Sequence, residues 1–563
     1  MVRGVLGKDA GTSSMIIKKG GYQVKKWFAC LLVLVMVFGL GLNVVACTSL
    51  AVPPESTVDG SAFVTHTADC GSCAYEIVKV PAQDWEPGTM VDILHLPQST
   101  GGYQVGEIAA YPTGNRIPQV AHTYGYISGL FGMINEKQVA WGETTFGGDR
   151  ALRNPSGWFD VTNLSMLAME RASTAREAIQ VMGDLAVKYG YKDGGESVSL
   201  CDPNEAWIFE IVGCGPLWEQ GLDAPGAFWV AQRVPAGHVA ASANAAVIDE
   251  IDWDDHENFM YGPGIREHAQ AMGLDENFSW RFDFVKSDSP ATSGRRVWRV
   301  FSLVAPSLTD SLDEADLPFS VPVDEKISLQ DIMAINRDHY EDTEFDGRYS
   351  LTAGPWNNPR RYRGLNFTVD GERYHWQRSI SQIQCEYSII AQVRGFMPDE
   401  VGAVLWYGAD APDTTCYVPF WPSQTEISEV MNSKAGSHQK FTRDSYWWSI
   451  STVATYADLK WSYMIQDINA MQEKYETSIV NSMPAIEVAL IDLLDKDRDA
   501  ALEFVTSFAN RNVENVRDAW WEFLDYLMWK YNSGFVMEDG RVNSVGYPED
   551  WLRRVLEADD LVY

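Results

Sequence analysis

Residues 44–52 read Val-Val-Ala-Cys-Thr-Ser-Leu-Ala-Val, and this stretch joins two parts of the chain that differ in character. Before it, residues 28–42 form an apolar run that follows lysines at positions 18, 19, 25 and 26. A basic segment, an apolar run and a small residue before a cut site make up a secretory signal peptide. The run is shorter than the ~20 residues of a membrane-spanning helix, and we expect no later segment of that length. We therefore expect residues 1–46 to be removed from an exported protein that begins at Cys47.

A cysteine at a cut site has two chemical uses. When it becomes the first residue, its α-amino group (pKa about 7.7–8.0) can take the proton of a thiol (pKa about 8.5). In a bacterial lipoprotein the same sulfur carries a diacylglycerol thioether instead. A lipid anchor is usually followed by a polar tether, whereas residues 48–52 are apolar and strand-like and precede the turn signal Asp59-Gly60. This pattern favours a nucleophile in the core, with lipid anchoring as the alternative.

The chain is strongly acidic, with 44 Lys and Arg residues against 77 Asp and Glu residues and a formal net charge of −33. Six of the bases and one of the acids fall in residues 1–46, so the part after the cut carries −38 (38 bases against 76 acids). Such a surface repels phosphate backbones and anionic lipid headgroups, which argues against nucleic-acid or peripheral membrane binding.

Secondary-structure patterns change along the chain. A helical stretch over residues 162–190 interrupts a region of short β-rich runs, and residues 446–531 are helical throughout. Residues 249–289 are acidic and aromatic without a clear period, and we expect a long surface excursion there. The β-rich runs include residues 61–66, 138–142, 205–211 and 238–243. This alternation is typical of an α+β protein.

Common catalytic and metal motifs are absent from the sequence. It has no Gly-x-Ser-x-Gly elbow, no Walker loop and no His-Glu-x-x-His zinc helix. Cys70-x-x-Cys73 lacks a second such pair to complete a zinc site, so we expect a disulfide or two inert thiols. We therefore expect no metal and no organic cofactor.

Several short motifs occur in the order of the dipeptidase A family, cysteine peptidases among the N-terminal nucleophile hydrolases, which the chain resembles. They are Cys47-Thr-Ser, Asp59-Gly-Ser, Thr65-His-Thr-Ala-Asp-Cys, Asn135-Glu, Trp141-Gly-Glu-Thr-Thr, Asp202 with Glu205-Ala-Trp and Glu210, His238-Val, Ala243-Asn, Arg296-Val-Trp-Arg, Pro306-Ser-Leu, Tyr417-Val-Pro-Phe-Trp and Lys530-Tyr. Each motif is weak alone, but the order is specific and covers nearly the whole chain after the cut.

The resemblance implies a fold and a division of the chain. The fold would be an αββα sandwich of two antiparallel sheets covered by helices, with the nucleophile at the start of a central strand. We expect a signal peptide over residues 1–46, a catalytic body of the N-terminal nucleophile hydrolase type over 47–440, and a helical C-terminal part over 441–563 packed on that body.

The resemblance also implies roles for single residues. Cys47 would be the nucleophile, and Asp69 would hold its ammonium or thiol. His66 stands where the related bile salt hydrolases and penicillin V acylases have an arginine, and it would either take part in catalysis or only fill that strand position. Asn244 would bind the oxyanion, because an amide donor carries no competing charge. Asn135 would complete the oxyanion hole with its backbone or side chain, although a turn position is an alternative for both asparagines.

A fixed positive charge beside the nucleophile would favour the thiolate. Arg296 is the best match to such an arginine in the related hydrolases, and Arg295 and Arg299 lie close enough in sequence to be confused with it.

The resemblance implies an exported or extracytoplasmic dipeptidase that acts on small peptides through a thioester. One alternative is an amidase or acylase acting on N-acyl amides. Another is a lipid-anchored binding protein that has kept the fold without catalysis. Neither the preferred dipeptide nor the oligomeric state follows from the sequence.

Overall fold

The computed structural model describes residues 47–71, 73–95, 111–287, 291–361, 366–432, 435–436, 438 and 440–559. The predicted signal peptide over residues 1–46 lies outside the described residues. The strands are β1 Ser49–Val52, β2 Ala62–Thr67, β3 Val78–Val80, β4 Gln83–Asp84, β5 Met90–His95, β6 Tyr111–Pro118, β7 His122–Thr123, β8 Tyr126–Ser128, β9 Gly132–Asn135, β10 Ala140–Phe146, β11 Gly195–Cys201, β12 Ala206–Gly213, β13 Ala227–Arg233, β14 His238–Ser242, β15 Phe259–Tyr261, β16 Ser320–Pro322, β17 Asn366–Val369, β18 Glu372–His375, β19 Tyr387–Val393, β20 Val404–Ala409, β21 Val418–Phe420, β22 Phe535–Glu538 and β23 Arg541–Ser544. The α-helices are α1 Val161–Arg171, α2 Ala175–Tyr189, α3 Ile265–Met272, α4 Ala291–Val304, α5 Leu329–Asn336, α6 Asp399–Gly402, α7 Tyr446–Ala457, α8 Trp461–Leu494, α9 Arg498–Lys530 and α10 Glu549–Asp559.

The strand that follows Cys47 lies in the middle of the first large sheet. Its antiparallel strands have the order β16-β14-β1-β2-β19-β20-β21. All residues of β1 and β2 are buried, as expected for strands covered on both faces. Ser49 pairs with Ser242 on one side, and Ala51 pairs with Val64 on the other. The start of β1 is therefore held from both sides.

The second large sheet is also antiparallel, with the order β15-β13-β12-β11-β10-β9-β8-β3. It faces the first sheet through contacts of β10 with β2 and of β11 with β1. Gly142 of β10 allows this close approach, because a Cβ atom there would lie 2.5 Å from the carbonyl oxygen of Thr65 in β2. The next residue of β10, Glu143, is thereby brought to the middle of the sandwich.

Helices cover the outer faces of both sheets. α1 and α2 pack on the second sheet through β9, β12 and β13, whereas α4, α5, α7 and α9 pack on the first sheet through β14, β19, β20 and β21. The predicted αββα sandwich of the α+β class, with additional C-terminal helices, is confirmed.

The long helix α8 is anchored by polar side chains as well as apolar ones. Gln472 donates to the carbonyl oxygens of Asp413 (2.9 Å) and Thr415 (2.7 Å), and Glu476 pairs with Arg337 at 2.5 Å. By length and composition alone, α8 is the one helix among the described residues that is suited to cross a membrane. The expectation that no later segment would reach such a length was therefore wrong.

Residues 249–289 contain more regular structure than expected. β15 extends the second sheet, and α3 follows it. Phe278, Trp280 and Phe284 are buried and stack on one another, which explains the aromatic content that showed no period in sequence. Of the alternatives for Cys70 and Cys73, the structure contains the disulfide.

Candidate active site

Cys47 lies two residues before β1 and is 1% exposed. The next residue fixes its position, because the Thr48 backbone N–H donates to Thr67 Oγ1 at 3.0 Å and the Thr67 N–H donates to the Thr48 carbonyl oxygen at 3.0 Å. The cysteine therefore occupies the place that the resemblance implies, at the start of a central strand. Its side chain lies between the two sheets, where it contacts Glu143 of β10.

Arg296 of α4 joins the residue at the cut site to the turn after β14. Its Nη1 donates to the carbonyl oxygen of Cys47 at 2.6 Å, and its Nη2 donates to Oδ1 of Asn244 at 2.8 Å. Further donated bonds reach Thr48 Oγ1 (3.0 Å), the Ala243 carbonyl (3.1 Å) and the Thr292 carbonyl (3.0 Å). The guanidinium is fully buried, and burial lowers its pKa from the ordinary value. Its planar fork therefore acts as a fixed clamp.

Arg295 and Arg299 point elsewhere. Arg295 donates two hydrogen bonds to Glu314, at 2.6 and 2.7 Å, and Arg299 forms an ion pair with Asp338 at 2.6 Å. Of the three arginines that the sequence could not separate, Arg296 is the one that contacts Cys47.

Asn244 follows β14 in the left-handed region, with a φ of 62°. Its Nδ2 donates to the carbonyl oxygen of Thr145 at 2.6 Å, while its Oδ1 accepts from Arg296. Asparagine tolerates this backbone conformation better than most residues, since its short polar side chain can bond locally. The amide is thus held at both ends beside the strand start that carries Cys47.

Asp69 follows β2 and is 3% exposed. Its Oδ2 accepts from Thr67 Oγ1 at 3.3 Å and from Gln382 Nε2 at 2.9 Å. Burial raises the pKa of Asp69 to about 8, with Arg296 as the main opposing charge. The backbone N–H of Asp69 bonds to the sulfur of Cys47. Asp69 therefore contacts the thiol through its backbone, and its carboxyl group lies near enough to act on it electrostatically.

His66 and Glu143 meet beside the thiol. Glu143 Oε1 lies 3.8 Å from Cys47 Sγ and 3.6 Å from His66 Nε2. The imidazole is fixed by aromatic neighbours, with ring centroids 5.5 Å from Phe131 and 5.8 Å from Tyr387. Burial lowers the pKa of His66 to about 3, so the ring is neutral at physiological pH. The ligand atoms of Cys47, His66 and Glu143 all lie within 4.8 Å of one another.

A second buried carboxyl group lies behind Glu143. Glu196 of β11 is hydrogen-bonded to Glu143, and both are 1% exposed. Burial raises the pKa of each, and the charge of Glu143 raises that of Glu196 further. Two neighbouring carboxyl groups in a low dielectric retain a proton between them. Neither acid was among the predicted site residues. Glu143 stands in the motif at 141–145, and a charged residue within a strand of mostly uncharged residues was the signal that could have found it.

Asn135 is not brought to the thiol by its side chain. Its Nδ2 donates to the carbonyl oxygens of Met169 (2.9 Å) and Ala172 (2.8 Å), and its Oδ1 accepts from the backbone of Lys137 and Val139 at 3.0 Å each. These four bonds use the full capacity of the amide and tie the β9–β10 turn to the end of α1. The contacts of Asn135 are those of the turn residue that was its alternative role.

The surroundings of the thiol disfavour its anion in the uncut chain. Burial raises the pKa of Cys47 well above the ordinary value, and the charges of Glu143 and Asp69 raise it further. The N–H of Asp69 acts in the opposite direction. Chemistry at this sulfur therefore requires a group that removes its proton.

Comparison with known proteins adds to this geometry. The model of Peptidase family C69 matches residues 46–474. A probable dipeptidase of Latilactobacillus sakei is 26% identical over 461 residues, which cover 78% of this chain and 88% of that protein. Dipeptidase A of Lactobacillus helveticus is 23% identical, with 76% and 85% covered, and a dipeptidase of Bifidobacterium longum (strain NCC 2705) is 22% identical, with 76% and 80% covered.

The sandwich fold and these similarities define the class of the protein as a peptide hydrolase of the cysteine type. Within that class, the chain belongs to Peptidase family C69, whose model matches most of its length.

Proposed function

We propose that the chain is an exported dipeptidase whose nucleophile is the thiol of Cys47, exposed as the N-terminal residue when residues 1–46 are removed. The observation that carries the proposal is the clamp of Arg296, which holds the Cys47 carbonyl and the Asn244 amide on one guanidinium. This clamp supports a nucleophile and an amide donor fixed relative to each other, as acyl transfer requires.

The proposed reaction has two halves. The Cys47 sulfur attacks the scissile carbonyl carbon while the α-amine of the same residue takes the thiol proton. The amine then gives this proton to the leaving nitrogen, the C–N bond breaks, and a thioester remains. A water molecule attacks the thioester after passing a proton to the amine, the C–S bond breaks, and the proton returns to the sulfur.

Two residues would serve the charged groups of this reaction. Asn244 would donate to the oxygen of the tetrahedral intermediate, since its amide is held in place by Arg296 and Thr145. Asp69 would hold the ammonium that forms on Cys47, because its carboxyl group is buried beside the thiol and interacts with it. An ammonium on Cys47, beside this carboxyl group, would also favour the ionised form of Asp69.

Glu143 favours unblocked dipeptides over N-acyl amides. The free ammonium of a dipeptide is separated from the scissile carbonyl carbon by a single carbon atom, so it arrives close to the attacking sulfur. Glu143 Oε1 lies 3.8 Å from that sulfur and can accept a hydrogen bond from the ammonium. An N-acyl group carries no charge to satisfy this acid, and the amidase alternative is therefore less well supported.

The first test replaces the nucleophile. Cys47→Ala should lower the rate of dipeptide hydrolysis by at least ~10³-fold, as nucleophile deletions do. Cys214→Ala is the matched control, because this half-buried thiol lies outside the site and should leave the rate unchanged. Activity that survives in Cys47→Ala would refute the role of the thiol. Wild-type protein should also prefer free dipeptides to their N-acetyl forms, whereas the opposite preference would support the amidase.

The second test concerns the amine. A variant with one extra residue before Cys47 should fold but be inactive, because an amide nitrogen has no basic lone pair. Mass spectrometry of the native N-terminal peptide distinguishes a free Cys47 from a lipid-anchored one. The lipid-anchored form requires the added mass of a diacylglycerol and a sulfur that resists alkylation. Full activity of the extended form, or a lipid on Cys47, would refute the mechanism.

A further inference from the structure

Three buried side chains converge on one point with atoms that bind transition metals. Cys47 comes from the start of β1, His66 from β2 and Glu143 from β10, so the three are fixed by both sheets. Each is 1% exposed. Thiolate, imidazole and carboxylate are the three ligand types that Zn²⁺ takes in proteins, whereas Mg²⁺ and Ca²⁺ prefer oxygen ligands alone.

The separations are close to those of a tetrahedral zinc site. With Zn–S of about 2.3 Å, Zn–O of about 2.0 Å and Zn–N of about 2.0 Å, tetrahedral angles place sulfur and oxygen about 3.5 Å apart and nitrogen and oxygen about 3.3 Å apart. The observed distances are 3.8 Å for Cys47 Sγ to Glu143 Oε1 and 3.6 Å for His66 Nε2 to Glu143 Oε1. These two separations are each about 0.3 Å longer than the tetrahedral values, and Cys47 Sγ and His66 Nε2 lie within 4.8 Å of each other.

The site also has unmet polar capacity and a suitable charge. His66 Nε2 is buried, and it has no hydrogen-bond partner among the described residues. Buried polar atoms of this kind are costly unless a ligand, ion or water satisfies them. A thiolate and a carboxylate together carry two negative charges, which one Zn²⁺ neutralises while the imidazole stays neutral.

We propose that Cys47, His66 and Glu143 form a Zn²⁺ site. The metal would bind the sulfur of Cys47, block it as a nucleophile and so inhibit the enzyme reversibly. The inhibition rests on the proposed role of Cys47 as nucleophile, whereas the binding does not. Zinc would compete with substrate, because both need the sulfur and the Glu143 carboxylate.

The experiment is a calorimetric titration of the mature protein with ZnCl₂, and with MgCl₂ as the control metal. We expect one Zn²⁺ per chain and no Mg²⁺ binding. The affinity for Zn²⁺ should fall at least ~100-fold in Cys47→Ala and in His66→Ala, and at least ~10-fold in Glu143→Gln. Cys214→Ala should bind as the wild type does. Unchanged affinity in Cys47→Ala or His66→Ala, or no binding in the wild type, would overturn the site.

A second measurement needs no variant and so does not depend on folding of the mutants. One equivalent of Zn²⁺ should slow the alkylation of Cys47 by iodoacetamide at least tenfold, as read by peptide mass spectrometry, and EDTA should restore it. Equal labelling with and without zinc would overturn the proposal. Dipeptide hydrolysis is measured separately: zinc binding in a protein that cleaves no dipeptide would leave the site standing and remove the proposed function, and cleavage without zinc binding would do the reverse.

Discussion

Replacing Arg296 with lysine tests the clamp that joins the proposed nucleophile to the proposed oxyanion donor. The guanidinium donates bonds to five acceptors: Cys47 O, Thr48 Oγ1, Ala243 O, Asn244 Oδ1 and Thr292 O. A lysine keeps the charge but offers three donors at one point, so it cannot reach both the Cys47 side and the Asn244 side. At least two buried acceptors lose their partner, at about 1–3 kcal/mol each, so the variant should be destabilised by about 2–6 kcal/mol.

The rate should fall for a separate reason. When the Asn244 amide loses its anchor, the oxyanion donor is no longer held in place, and kcat should fall by about 10²-fold at temperatures where the variant stays folded. Arg299→Lys is the matched control, because Arg299 lies on the same helix in a buried pair with Asp338 but does not contact the site. It should lose stability while keeping kcat. The assays are urea unfolding and steady-state dipeptide hydrolysis, and a kcat for Arg296→Lys equal to that of Arg299→Lys would refute the reasoning.

Three further predictions test neighbouring features. Asn244→Ala should lower kcat by about 10²–10³-fold in steady-state assays with little change in KM, and an effect on KM alone would remove Asn244 from the oxyanion hole. Because burial raises the pKa of Asp69 to about 8, the folded chain keeps a proton that the unfolded chain releases above its ordinary pKa. This contribution to the stability of the uncut chain is complete below about pH 4 and is lost as the pH rises through 8. Within that window, the free energy of unfolding of the uncut chain in urea should fall by about 1.4 kcal/mol per pH unit more than that of its Asp69→Asn variant, and parallel curves would contradict the assignment. Gly142→Ala places a Cβ atom 2.5 Å from the Thr65 carbonyl oxygen and should cost about 1–3 kcal/mol and lower kcat, whereas Gly147→Ala, with no atom within 4 Å of its Cβ, should do neither; equal effects of the two would show that the sheets do not depend on Gly142.

Much of the fold could be predicted from the sequence because local patterns decide it. The β-rich run at 61–66 became β2, and the helical stretch 162–190 became two helices separated at residues 172–174. The segment 249–289 was expected to be a surface excursion without a clear period, and it contains β15 and α3. Phe278, Trp280 and Phe284 are buried and stack through Phe284, and no periodicity within the segment reveals these contacts.

The sequence also indicates some residues of the site, whereas others come together only through the packing of the fold. Helical geometry places Arg295 and Arg299 within about 40° of each other around α4, and Arg296 about 100° from Arg295 and about 60° from Arg299, but only packing shows which side chain meets Cys47. Glu143 lies 96 residues from Cys47 in sequence and reaches it across the gap between the two sheets. A motif search within one segment cannot find such a pair, because the contact exists only after the sandwich has formed.

The pKa values favour the proposed α-amine over His66 as the base for the thiol. His66 is the imidazole nearest to the sulfur in the described part of the site, but burial lowers its pKa to about 3. An α-amine has an ordinary pKa of about 7.7–8.0, and the carboxyl group of Asp69 lies near enough to the thiol to stabilise an ammonium on Cys47, which makes the amine the better proton acceptor. Burial and two nearby acids raise the pKa of Cys47, so the weaker base would leave almost no thiolate. A chain still joined through Ala46 has only an amide at this position, and its thiol should therefore stay protonated and unreactive until the cut is made.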